Sequence, residues 1–292
     1  MTAQPDGGAP SGPTVRRMLV GARLRRLREG KGISREDAGW AIRGSESKIS
    51  RMELGRVGFK LRDIADLLTL YGVEGGEERK LLLAMAHEAN QPGWWHEYGD
   101  LLPSWLQSYL DLEAAASLIR TYELQFVPGL LQTEAYARAV IELGHSRAKP
   151  DEIDRRVSIR MNRKQLLTRP GAPRLWVVID EAVLRRPIGG REVMRAQIEA
   201  LVEANTMRNT RLQILPFAVG GHAATGGAFT ILRFPERDLP DVVYVESLTS
   251  AHYIERPDEV DQYSVAAARL FVEAEPPHGT AMILRRAIED LG

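Results

Sequence analysis

Between Ser34 and Arg56 the chain reads SREDAGWAIRGSESKISRMELGR, and twice in that span a serine stands directly before a short run with helical spacing. Ser34 followed by Asp37 has the form of a capping box, with a carboxylate where the helix dipole favours one. Ala38, Ala41 and Ile42 share a face of the run that follows. The RGS turn leads to Ser45, which can cap a further helix from Glu46 to about Leu54, closed by Gly55 and Gly58. At about 100° per residue, Ile49 and Met52 of that helix point together, with Ser45 and Glu53 close to them. That stripe should pack on the helix before it. Ser47, Ser50 and Arg51 then fall on the opposite face, and Lys48 on the flank. Helices this short are marginal alone, so the segment has to sit inside a small bundle.

The flanking sequence supplies one. Met18, Leu19, Ala22, Leu24 and Leu27 give a helical pattern that Gly30 and Gly32 end. LRDIADLLTLYG and EERKLLLAMAHEAN make a fourth and a fifth helix. Two short helices joined by a three- to four-residue turn are the helix-turn-helix arrangement, whose second helix enters the major groove. Charge agrees. From Arg16 to Arg62 there are 14 Lys or Arg against 5 Asp or Glu, although the whole chain is formally neutral. A basic module joined to an acidic one suggests that the first is made for a polyanion. Arginine can bond guanine O6 and N7 with both prongs of its guanidinium, and serine can bond bases or phosphates.

The SREDAGWAIRGSESKISRMELGR run resembles the XRE/Cro-repressor helix-turn-helix family, above all in SKISRMELG, and the likeness covers about residues 18–73. The family commonly has Gln at the position of Arg35, where it contacts phosphate and braces the recognition helix. The resemblance implies the phosphate contact for Arg35 and leaves the bracing open. It also implies that Glu53 ion-pairs with an arginine of the first helix, Arg23 or Arg26. Together these readings place Glu46, Ser47, Lys48 and Arg51 at base edges, and Arg35, Ser45, Ser50 and Arg56 at phosphates.

Residues 1–17, rich in Gly and Pro, read as a disordered tail without a secretory signal. No apolar run approaches the roughly 18 residues of a membrane span, and the lack of cysteine fits a reducing cytoplasm. The helical module is expected over 18–91. A connector follows over 92–110, where NQPGWWHEYGDLLPSW concentrates three tryptophans. It reads as a packed seam between domains or protomers, or as ordinary aromatic core.

From 111 to 292 the periodicity alternates. ASLIRTYEL, RLWVVID, RLQILPF, AFTILRF and DVVYVES read as strands, and helices lie between and after them. Short links between the last strands predict an α+β domain with a mainly antiparallel sheet flanked by helices. The glycine-rich VGGHAATGGA is followed by a strand, so it is no phosphate-cradling loop. His222, Glu181 and Glu246 could transfer protons or bind metal only if the fold gathered them, and loop or capping roles are far commoner. The expectation is a protein that is no enzyme and needs no cofactor.

This half resembles the C-terminal, antitoxin-like domain of WhiJ-like regulators of actinobacteria, through VPGLLQTEAYARAVI, DEAVLRR, MRAQIEAL and VVYVES in order. That likeness implies a small protein encoded by an adjacent gene as partner. The expected whole is a DNA-binding transcriptional regulator that acts on double-stranded DNA as a homodimer. Its acidic domain takes a partner-protein or small-molecule effector input. The alternative is an antitoxin-like protein that masks a small partner and autoregulates its operon.

Overall fold

The computed structural model describes residues 13–91, 93–236 and 239–292. They form two units, which are taken separately. The described residues up to Glu97, with Gln107–Ala115, Glu236 and Leu239, make the N-terminal unit; Tyr98–Leu106, Ala116–Pro235 and Pro240–Gly292 make the C-terminal one.

Five helices build the first unit: α1 (Pro13–Gly30), α2 (Arg35–Ala41), α3 (Glu46–Glu53), α4 (Leu61–Leu70) and α5 (Gly76–Glu88). Serine caps fix two of the starts. Ser34 Oγ accepts the Asp37 N–H at 3.0 Å, and Ser45 Oγ accepts the Lys48 N–H at 3.2 Å. One core gathers Leu24, Ile42, Ile49, Met52, Ile64 and Leu68, among others. Ala41 does not join it: that residue is exposed, and Gly39 takes the buried place beside Ala38. A Cβ at Gly39 would lie 3.0 Å from the Ser45 carbonyl carbon, so α2 crosses the start of α3 so closely that any larger residue would push the two apart by a few tenths of an ångström.

Helix α1 is already formed at Pro13, so residues 13–17 are helical and not part of a tail. The reason is packing and hydrogen bonding. Val15 is fully buried, and Thr14 donates its N–H and hydroxyl to Asp111 Oδ2 at 3.2 and 2.7 Å. The rest of the expected tail lies outside the described residues. The connector also departs from expectation. After a 3₁₀ turn at Trp94–Tyr98, helix α6 (Ser104–Ala115) begins inside it. Trp94 is exposed and Trp95 and Trp105 are half-buried, with Trp95 Nε1 donating to Asp111 Oδ1 at 2.8 Å. Burial, the largest influence, raises the pKa of Asp111 against the pull of these donors and of Arg17.

The C-terminal unit is a six-stranded sheet with helices: β1 (Leu118–Glu123), α7 (Glu134–Gly144), α8 (Pro150–Lys164), β2 (Arg174–Asp180), α9 (Glu181–Leu184), α10 (Arg191–Ala204), β3 (Thr210–Leu215), β4 (Phe229–Arg233), β5 (Val242–Glu246), β6 (Ala251–Ile254), α11 (Pro257–Glu273) and α12 (Pro277–Asp290). The strand order is β3-β2-β1-β4-β5-β6. Three pairings are antiparallel, which makes the sheet mainly so. The β1–β2 and β2–β3 pairings are parallel, because helices cross back between those strands. The short links read in the sequence belong to the other half.

The β3 edge is closed off by the α11–α12 junction. Thr280, fully buried, accepts the Ile214 N–H at 3.0 Å, and Ile214 O accepts the Glu275 N–H at 2.9 Å. A buried strand edge thus keeps its backbone groups paired.

Glu123 ends β1 half-buried. Burial first, then the Glu246 carboxylate, pushes its pKa up to about 8, while Arg160 pulls the other way. The sign follows from linkage. Between its ordinary pKa of 4.5 and about 8, the carboxyl is protonated when folded and ionised when unfolded. Its contribution to stability is therefore fullest below pH 4.5 and declines as pH rises through that window. A Glu123→Gln variant escapes the decline. Its melting temperature relative to the parent chain is expected to climb by about 5 °C between pH 5 and pH 8. A constant difference across that range would refute the assignment.

Candidate nucleic-acid interface

Helix α3 is held from beneath. Glu53, 5 % exposed, receives Arg28 Nε on Oε1 at 2.5 Å and Arg28 Nη2 on Oε2 at 3.1 Å. Arg35 Nε reaches the same Oε2 at 3.2 Å, and Arg28 Nη1 donates to Ile33 O at 2.8 Å. The hydrogen bond to Glu53 is the main reason that Arg28 is raised above its usual pKa. The helix 1 arginine that clamps Glu53 is therefore Arg28 and not the expected Arg23 or Arg26; Arg23 pairs with Glu78. Arg28 lies one helical turn past Leu24 on the buried face of α1, and that periodicity was the available signal. Arg35 supplies through Glu53 the bracing that the sequence left open. Its side chain is 37 % exposed, so it remains partly open to solvent.

On the outer side, Ser47 and Arg51 are exposed and Ser50 is half-buried. Arg51 Nε donates to Ser47 O at 3.3 Å, which lays the side chain back along its own helix. Glu46 is exposed in the first turn and Arg56 just beyond the last. The Arg56 backbone N–H closes onto Arg51 O at 2.9 Å. Lys48 departs from the expected role at a base edge. Its ammonium sits 2.5 Å from Asp63 Oδ2 on α4, and its stem crosses so close to Gly44 that a Cβ there would lie 2.9 Å from Lys48 Cδ. Lys48 ties α3 to α4. Ser45 spends its oxygen as the helix cap.

Arg43 had no part in the expected interface. It is exposed and stands in the α2–α3 turn with φ 51°, alone in the left-handed region among the described non-glycine residues. No composition or periodicity signal marks a backbone angle.

Elsewhere, the three candidate catalytic residues are each engaged by partners of their own. His222 Nδ1 accepts the Ala224 N–H at 3.2 Å, which leaves Nε2 to carry the proton of the neutral ring and face Tyr122 Oη at 3.2 Å. Tyr122 in turn donates to Asp180 Oδ2 at 3.4 Å. Burial, with Asp180 second, raises the Tyr122 phenol above its ordinary range. Glu181 pairs with Arg185 and accepts the Phe217 N–H at 3.0 Å. Glu246 accepts the Tyr244 hydroxyl at 2.8 Å. No group of three His, Asp or Glu residues placed to hold a metal ion occurs among the described residues.

Against known families, a helix-turn-helix domain matches residues 19–82. A second family, described as a domain of unknown function (DUF5753), matches residues 106–286, more than half of the chain. The chain belongs to the DUF5753 family. No curated protein and no solved structure matches it.

The N-terminal unit of this DUF5753 protein thus carries the fold of DNA-binding regulators, with α2 and α3 as its two central helices. Within the DUF5753 match, the VPGLLQT corner is held by two buried amides that sequence reading passed over. Gln132 Nε2 donates to Val127 O at 2.7 Å, and its Oε1 accepts Arg160 Nη1 at 2.9 Å. Gln197, fully buried on α10, accepts the Thr133 N–H at 2.7 Å and donates to Leu131 O at 2.9 Å. Buried amides satisfied at both ends fix a loop in one conformation. Among the described residues no helix is long and apolar enough to cross a membrane.

Proposed function

We propose that the protein is a sequence-specific transcriptional regulator of the XRE type that docks α3 in the major groove as a homodimer. The observation that carries this is the division of labour on α3. Its inner face is buried and clamped through Glu53, while Ser47 and Arg51 stand exposed on its outer face, with Arg51 lying along the helix. Base readout needs side chains held within fractions of an ångström, and phosphate contacts need flanking cations. Arg35 and Arg56 stand on those flanks.

The likeness of the C-terminal half to WhiJ-like regulators supports regulatory input there, from a small adjacent-gene protein or a small-molecule effector. Val265, Ala268 and Val272 are exposed along α11 at heptad-like spacing, which supports self-association through that unit. The engagement of Glu181, His222 and Glu246 with separate partners supports a regulator without catalysis. Under the antitoxin-like alternative, the chain would co-purify with a small neighbour protein.

The test is selection from random duplex DNA with full-length protein at two salt concentrations, alongside Arg51→Ala and Lys48→Ala. A two-fold motif is expected. Arg51→Ala should weaken binding by about 1–3 kcal/mol and relax particular positions in each half-site. Lys48→Ala, which cuts the tie to α4, should weaken all sequences alike without changing the motif. Enrichment of no motif, with only salt-sensitive affinity for any duplex, would overturn the reading.

A further inference from the structure

The turn between α2 and α3 closes through two backbone hydrogen bonds. The Arg43 N–H donates to Trp40 O at 3.0 Å, and the Gly44 N–H reaches back to Gly39 O at 2.8 Å. This is the left-handed helix terminus that glycine usually occupies, since any Cβ there crowds the backbone. Here the left-handed residue is an arginine with φ 51°, and the glycine comes one position later. Among the described residues of the unit, no side-chain partner accounts for the choice. The Arg43 side chain is exposed, and among the described residues no hydrogen bond or ion pair engages it. Glycine would close the same turn without the crowding, and an arginine kept there with no side-chain contact to repay the difference points outward, to a ligand.

Its place in the fold says which ligand. Arg43 stands two residues ahead of Ser45, the cap of α3, beside the helix end whose unpaired N–H groups already favour an anion. It lies on the turn and not along the outer face of α3, so it flanks the groove-reading side chains. We propose that Arg43 is a further DNA contact that grips a backbone phosphate oxygen beside the groove that α3 enters. This inference rests on the DNA-binding reading above. It adds a residue whose retention opposes stability, and the two effects can be measured separately.

The experiment takes full-length protein with Arg43→Gly and Arg43→Lys. Thermal unfolding is followed, and binding to a selected operator and to an unrelated duplex is titrated over a salt series. Arg43→Gly is expected to melt about 4 °C higher, because glycine accepts the left-handed angle freely. The same variant should bind both duplexes roughly 5- to 10-fold more weakly at low salt, with the slope of log affinity on log salt reduced by about one. Arg43→Lys keeps the charge and the backbone angle, and should keep most of the affinity and the slope. The proposal is overturned if Arg43→Gly binds as tightly as the parent with an unchanged slope. It is also overturned if that variant melts lower, or if its loss is confined to the operator, which would mark a base contact. If the parent chain binds neither duplex, the DNA reading itself falls and this inference with it. That failure is distinct, because in the other cases the parent binds.

Discussion

A single methyl group at Gly21 is expected to melt the N-terminal unit. Gly21 is in the middle of α1, where alanine would ordinarily be the better helix former by about 1 kcal/mol. Here propensity loses to contact. A Cβ at this position would meet the Met52 carbonyl oxygen and lie 2.6 Å from the Glu53 carbonyl oxygen. Both are backbone atoms of α3, held by the Ser45 cap and by Ile49 and Met52 beneath. They cannot swing aside as the tip of a lysine could. The two helices must part by most of an ångström, and Leu24, Ile49 and Met52 lose their close packing together. Overpacking of side chains alone costs about 1–3 kcal/mol, and backbone against backbone stands at or beyond the top of that range. For a unit of this size the melting temperature should fall by about 15 °C. Gly30→Ala is the control. It lies in the last turn of the same helix with nothing within 4 Å of its would-be Cβ, and should raise stability slightly. The measurement is hydrogen exchange on the full chain, resolved to peptides from α1 and α3. Equal protection in the two variants would defeat the argument.

Gly21 also shows where sequence reading stops. A glycine inside an apolar stripe looks like a weak helix residue, and only the distance to α3 reveals its necessity. The short-range signals were legible. Serine caps and 3.6-residue spacing placed α2 to α5 within a residue or two, because capping and amphipathic burial are local. The start of α1 was hidden because Thr14 is held by Asp111, nearly a hundred residues away, and Val15 is buried. Strand direction was half legible. The links before β5 and β6 are short and force antiparallel pairing, but the long β1–β2 connection does not reveal its sense until α7 and α8 are placed. Strand β6 was missed outright: AHYI follows a turn, SLTS, that lacks the glycine or proline by which hairpins announce themselves. In the site, the face of α3 could be derived, whereas the partner of Lys48 could not. Helical phase gives a direction, and several charges of the right sign lie along each direction.

Replacing Glu53 by glutamine tests that clamp, and the expected loss is the other large one. Glu53→Gln preserves shape and volume, so any change reports charge and hydrogen bonding. The Glu53 carboxylate, with its side chain 2 % exposed, faces an Arg28 side chain that is 8 % exposed. In the variant one carboxylate oxygen becomes an NH2 group that faces guanidinium N–H donors, and the buried Arg28 charge keeps only the half-exposed Glu29 carboxylate, 3.4 Å away, as an anionic partner. Breaking a buried pair in this way costs about 3–5 kcal/mol, a large share of the 5–15 kcal/mol that holds a domain folded. The effect should exceed that of Arg35→Ala, whose partner is the same carboxylate but whose side chain is 37 % exposed. That change should cost no more than about 1 kcal/mol. Substituting Arg28 and Glu53 together by methionine removes both charges at once, so the double variant should recover most of the stability that Glu53→Gln loses. It would not recover binding, because Arg35 then loses the anchor that sets it beside α3. Denaturant titration of the three variants with parallel duplex binding separates these roles. If Glu53→Gln unfolds within about 1 kcal/mol of the parent chain, the clamp does not seat α3. The rigidity of its outward face must then come from Ile49, Met52 and the Lys48–Asp63 tie alone.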